Sequence, residues 1–184
     1  MQDRHITAMK ENTGHRSWRG PLAALAVIVA LFLAPASAGA AGPAALKIGD
    51  PPPRFALQDL DGGTVTVPDD LRGKAVIIHF WADWCQYCVE EMPAIDGLYR
   101  QYRDKGLAVY AVNVSQTADV AKAFVKRVKV SYPILLDLDG KTAKQYSVLG
   151  LPRTFFLDRK GRIKYKLLGE ASADTLRKLI LNML

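Results

Sequence analysis

The chain has 184 residues, 49% of them hydrophobic and 23% charged, with a formal net charge of +7. That length and composition suit one globular domain with a sizeable core. The positive charge invites a nucleic-acid reading, but its distribution excludes one. Arg4, Lys10, Arg16 and Arg19 sit in an N-terminal extension with Asp3 and Glu11, which leaves +5 for the rest, scattered singly among acidic residues. The densest cluster, Lys122 to Lys129, alternates with apolar residues at helical spacing, as a solvated helix face does.

The N-terminus has the three parts of an export signal. Residues 1–20 are polar and positive, residues 22–34 are an uninterrupted apolar run, and Pro35-Ala36-Ser37-Ala38 offers an A-x-A cleavage site. The run is short for a bilayer span of roughly 20 residues. Residues 1–38 therefore read as a cleaved signal peptide. An uncleaved anchor is the alternative, because small residues continue to Ala45. Either reading places the domain in the periplasm, where disulfides persist. Residues 39–53, rich in Ala, Gly and Pro, read as a flexible linker, and residues 54–184 as the domain.

Arg54–Gln58 and Thr64–Val67 alternate apolar and polar residues around Asp61-Gly62-Gly63, the pattern of a β-hairpin, expected to add an edge to the sheet. Ala75–Phe80 reads as a buried strand. A helix follows Cys85 to about Asp104, with Pro93 expected to kink it and Gly106 to end it. Leu107–Val114 reads as a strand, residues 117–129 as an amphipathic helix, Pro133–Asp137 as a strand and Thr142–Tyr146 as a brief helix. Thr154–Asp158 and Arg162–Leu167 form a second hairpin. A last helix, residues 172–184, has Ser172 as N-cap and Leu176, Leu179, Ile180 and Met183 on one face. The order predicts an α/β fold whose mixed central sheet is flanked by helices, with an extra N-terminal β-hairpin.

The stretch Phe80-Trp81-Ala82-Asp83-Trp84-Cys85-Gln86-Tyr87-Cys88 carries the chemistry. Its 2 cysteines are the only ones in the chain, and they stand where a buried strand gives way to a helix. Positions i and i+3 share a helix face, so the two sulfurs can meet. The first turn offers unpaired N–H groups and the positive end of the dipole, which stabilise a thiolate. Cys85, nearer the helix start, is expected to be the nucleophile and Cys88 the resolving thiol. A structural disulfide is the blander alternative, but closing so small a ring constrains the unfolded chain little.

That motif, with Leu149-Gly150-Leu151-Pro152-Arg153-Thr154-Phe155-Phe156-Leu157-Asp158, resembles the thioredoxin superfamily. The export segment, the leading hairpin and Ile48-Gly49-Asp50-Pro51-Pro52-Pro53-Arg54-Phe55 narrow the likeness to exported TlpA/ResA-type thiol–disulfide oxidoreductases, over about residues 46–184. The resemblance implies a thioredoxin-like fold. It implies that Pro152 is the cis-proline beside the disulfide, leaving the backbone of Leu151 free to pair with substrate. It implies that Trp84 packs beside the site and that Glu91 is an acid exchanging a proton with Cys88. His79 takes the place of a buried acidic residue in thioredoxin, where an imidazole could accept the Cys88 proton or, as a cation, lower its pKa. Two positions depart from the pattern: Tyr87 where many relatives have Pro, and Arg153 where Thr is common. Arg153 is expected to add positive charge near the thiolate, or else to contact an acidic partner.

The resemblance further implies protein thiol or disulfide substrates, an upstream membrane electron donor or acceptor, a monomer, and no cofactor or resident metal. The favoured direction is reduction, in cytochrome c maturation or copper-site assembly. A DsbA-like oxidant, a Cu(I)-binding CxxC protein and a peroxiredoxin-like peroxidase are the rivals. Heme attachment is excluded because Val89, not His, follows Cys88.

Overall fold

A computed structural model describes residues 45–184, so the export segment and the first part of the linker lie outside the described residues. Five strands form the central sheet in the order β5-β4-β3-β6-β7. They are β3 Ala75–Trp81, β4 Leu107–Val114, β5 Ile134–Asp137, β6 Arg153–Leu157 and β7 Ile163–Leu168. The first three run parallel, β6 lies antiparallel to β3, and β7 antiparallel to β6. The helices are α1 Gln86–Tyr102, α2 Ala118–Val128, α3 Lys141–Gln145 and α4 Ala173–Leu181. The fold is thioredoxin-like, with a mixed sheet flanked by helices.

Every residue of β3 is buried, as a central strand covered on both faces requires. Its side chains alternate. Ala75, Ile77 and Trp81 enter the core beneath α1, α2 and α4, whereas Val76, Ile78 and Phe80 enter the core on the other face. The same alternation puts His79 on the α1 face. α1 contributes Cys88, Met92, Ile95, Leu98 and Tyr102 at helical spacing to that core. It runs on without a break through Pro93. The α-helix ends at Tyr102, and a short 3-10 turn carries the chain to Gly106, whose φ of 93° closes it. Ser172 caps α4 by accepting the Thr175 N–H at 3.2 Å.

Two expectations need correction. The leading hairpin forms, as β1 Phe55–Gln58 and β2 Thr64–Val67, but as a separate two-stranded sheet. A single bridge, Asp59 to Leu135, joins it to β5. Phe55 and Val67 instead pack across the second core with Leu71 and Tyr146, so burial of the hairpin's apolar face outweighs extension of the sheet. The linker boundary at residue 53 also moves. Gly49 N–H donates to Ile163 at 2.7 Å, Ile163 N–H to Asp50 at 2.9 Å, and the Tyr146 hydroxyl to Pro53 at 3.1 Å. By residue 49 the chain is already docked along β7.

Candidate active site

β3 ends at Trp81, and the chain turns at Ala82–Cys85, where the Cys85 N–H donates to Ala82 at 3.1 Å. Cys85 keeps extended backbone angles as the N-cap residue of α1, and Cys88 sits in the first turn. The two are joined by a disulfide with sulfurs 2.02 Å and Cα atoms 5.3 Å apart. Cys88 is fully buried, and Cys85, at the helix entrance, is 4% exposed. When the bond opens, a thiolate at Cys85 faces the free N–H groups of the first turn.

A polar lock that the sequence did not announce holds this loop. Gln116, between β4 and α2, accepts the Asp83 N–H at 2.9 Å and donates its amide to the Asp83 carboxylate at 2.5 Å. Asn113, fully buried at the end of β4, donates to the same Gln116 oxygen at 2.8 Å. The one legible signal was Asn113, an amide within an otherwise apolar strand.

Beneath the sheet end lie His79, Glu91 and Thr154, all buried. His79 Nδ1 shares a hydrogen bond of 2.9 Å with the Thr154 hydroxyl and stands 3.8 Å from Glu91 Oε2. Glu91 Oε1 accepts the Ala171 N–H at 3.2 Å, while Glu91 Oε2 and His79 Nε2 have no partner among the described residues. Burial, with Glu170 adding repulsion, pushes Glu91 up to about 7 against the pull of the Ala171 hydrogen bond. Burial alone pulls His79 down to about 3. The imidazole is therefore neutral at physiological pH, which removes the expectation that it could act as a cation. The close His79–Glu91 approach is accordingly no ion pair at neutral pH. Glu91 lies one helical turn beyond Cys88, so α1 carries both groups on its buried face. Glu90 is exposed.

The Leu151–Pro152 bond is cis and Pro152 is buried. The Pro152 carbonyl accepts the Gly169 N–H at 3.0 Å, whereas Leu151 makes no backbone hydrogen bond among the described residues. Trp84, directly before Cys85, is 71% exposed and so is no core tryptophan, and Tyr87 is 57% exposed. Trp81 fills the core instead, its ring 4.6 Å from that of Phe124. Arg153 departs from its expected place near the thiolate. Paired with Phe80 in the sheet, it aims away from the α1 face, its guanidinium 5.3 Å from the Phe155 ring centre.

A reversible pair of cysteines at a helix entrance, a cis-proline loop beside it and this sheet order define a thioredoxin-like thiol–disulfide oxidoreductase. Comparison with known proteins agrees. The chain belongs to the AhpC/TSA family, whose profile matches residues 48–166. It is 33% identical over 135 residues to the thiol-disulfide oxidoreductase ResA of Bacillus thuringiensis, covering 73% of this chain and 78% of that one. The ResA of Bacillus subtilis is 32% identical over 139 residues, covering 76% and 77%. Among solved structures, a protein from Chlorobium tepidum described as a DsbE-type thiol:disulfide interchange protein superposes with a TM-score of 0.71 at 33% identity, over 76% of this chain and 99% of that one. StoA from Bacillus subtilis does so with a TM-score of 0.60 at 29% identity, over 70% and 96%.

Proposed function

We propose that this enzyme is exported to the periplasm and works there as a monomeric reductant of protein disulfides, in cytochrome c maturation or copper-site assembly. The observation that carries the reading is the disulfide-bonded pair at the α1 entrance, with Cys85 as the N-cap residue and Cys88 buried in the first turn. The names of the ResA and DsbE relatives support thiol–disulfide exchange, and the reductant direction rests on analogy with that subfamily. With both thiols reduced, the Cys85 thiolate attacks a partner's disulfide. One partner sulfur leaves as a thiolate and takes a proton from water, and a mixed disulfide forms. Cys88 then gives its proton to the Glu91 carboxylate and attacks the Cys85 sulfur. The second partner thiol is released, and the bridge seen in the structure remains. Two electrons have passed to the partner, and a membrane donor must return them.

The other residues support this cycle without meeting the reacting bond. His79, held by the Thr154 hydroxyl, is a positioning residue beside the Glu91 carboxyl, which the Ala171 N–H anchors from the other side. Pro152 shapes the loop that leaves the Leu151 backbone open to an incoming strand. Trp84 is a contact platform for the partner. Among the described residues no helix is long and apolar enough to cross a membrane.

Cys88→Ser expressed in the native host should accumulate a mixed disulfide at Cys85, and Cys85→Ser should not. Identifying the trapped chain names the substrate. A measured reduction potential sets the direction. A value near that of DsbA, about −120 mV, would overturn the reductant reading in favour of an oxidant.

A further inference from the structure

Beyond the cis-proline loop, on the sheet face opposite α1, two neighbouring cavities of about 240 and 580 Å³ share Ala45, Ser147 and Leu149 as lining. Together they form one groove along the outside of the loop. Its apolar wall includes Leu149, 97% exposed, and Leu168, 68% exposed. Its charged lining is Lys144, Arg153 and Lys166. No carboxylate lines either cavity. Lys166 is occupied by the Leu46 carbonyl. Arg153 makes no side-chain hydrogen bond among the described residues: its Nε is buried without a partner, and its guanidinium lies 5.3 Å from the Phe155 ring centre. The guanidinium lines the groove, where an anionic side chain would find a charge-assisted hydrogen-bond partner.

We propose that this groove binds an extended segment of the protein substrate, apolar in character and bearing an Asp or Glu side chain that pairs with Arg153. Strand register ties the groove to the chemistry, since Arg153 pairs with Phe80 one residue beyond His79 and follows Pro152 directly. A segment crossing the open backbone of Leu151 toward Cys85 continues into the groove on its other side. The chain's own preceding segment is a poor occupant for the Arg153 end, because no Asp or Glu occurs between Glu11 and Asp50. Exposed apolar side chains on the wall contribute burial, and the guanidinium contributes selection by charge.

The proposal rests on the disulfide-reductase reading, and its test separates the two. The full chain would be assayed with peptide disulfides of one apolar sequence carrying Glu, Gln or Lys, the varied residue scanned along the segment next to the cysteine. At the matching position the Glu peptide should exceed the Gln peptide in kcat/KM by about tenfold at low ionic strength. Arg153→Glu should reverse the order in favour of the Lys peptide. Should that variant not fold, Arg153→Gln should bring Glu and Gln peptides to equal kcat/KM. Equal rates for Glu and Gln peptides at every position in the unaltered protein, or a preference that survives both substitutions, would overturn the groove assignment. Failure to reduce any of the peptides would sink the redox reading, and the groove with it.

Discussion

His79 Nδ1 stands 3.8 Å from Glu91 Oε2, and neither side chain reaches solvent. At the surface such a pair would be imidazolium and carboxylate. Here burial drives each toward its neutral form, Glu91 up to about 7 and His79 down to about 3. The proton that enters the pair on acidification therefore settles on the carboxyl. A carboxyl poised near 7, one turn from the resolving cysteine, is matched to accepting and returning a thiol proton.

The first prediction follows from that poise. Resolution of the mixed disulfide should speed up as pH rises through about 7, where Glu91 becomes a carboxylate. Glu91→Gln should lose that inflection and slow the step by about 10²-fold. His79→Asn should move the inflection and keep it. Stopped-flow tryptophan fluorescence across the pH range reads all three. An unchanged inflection in Glu91→Gln would show that another group sets it.

The same two residues shape stability against pH in opposite senses. Glu91 has its folded pKa raised from 4.5 to about 7, so the folded state binds the proton more tightly and stability falls as pH rises between those values. The cost is about 3 kcal/mol at most. His79 has its folded pKa lowered from 6.5 to about 3, so its contribution is present above 6.5 and is lost as pH falls toward 3. That loss is about 5 kcal/mol at most. Urea unfolding should show Glu91→Gln gaining on the wild type above neutrality and His79→Asn gaining on it in acid. Parallel pH profiles for all three proteins would refute the linkage.

Gln116 supplies a prediction about the cysteine loop. Gln116→Ala removes two hydrogen bonds to Asp83 and strands the buried Asn113 amide. A loss of about 1 kcal/mol is expected, or about 4 °C in Tm. Gln116→Glu should cost more, because it sets a carboxylate against the Asp83 oxygen now 2.5 Å away. Calorimetry of the oxidised protein measures both, and a milder effect for the Glu variant would contradict the lock.

Sequence reading found the elements whose signal is local. The β-branched run of β3, the Ser172 cap and the Gly106 stop each declare themselves within a few residues, and the cysteine spacing declares the disulfide. It missed what depends on distance along the chain. The Gln116–Asp83 lock spans 33 positions and the His79–Thr154 bond 75. The hairpin's fate was hidden for a related reason. Alternation shows that β1 and β2 have an apolar face but not which surface receives it, and the receiving residues, Leu71 and Tyr146, lie elsewhere in the chain. Arg153 was misplaced because strand phase, which fixes the face, needs a partner strand to read.

The two tryptophans flanking the turn give the sharpest contrast. Trp81 is fully buried against Phe124, and Trp84, three residues on, is 71% exposed. Trp81→Ala should cost about 3–5 kcal/mol through the cavity it leaves. Trp84→Ala should change stability by no more than about 0.5 kcal/mol. If Trp84 is a platform for the partner, its loss should raise KM for a protein disulfide and leave kcat almost unmoved, since the residue meets the partner and not the reacting sulfurs. Steady-state kinetics on the trapped partner, beside a urea melt of each variant, separate packing from contact. An equal stability loss at both positions would put Trp84 in the core after all, and an unchanged KM would remove it from the partner surface.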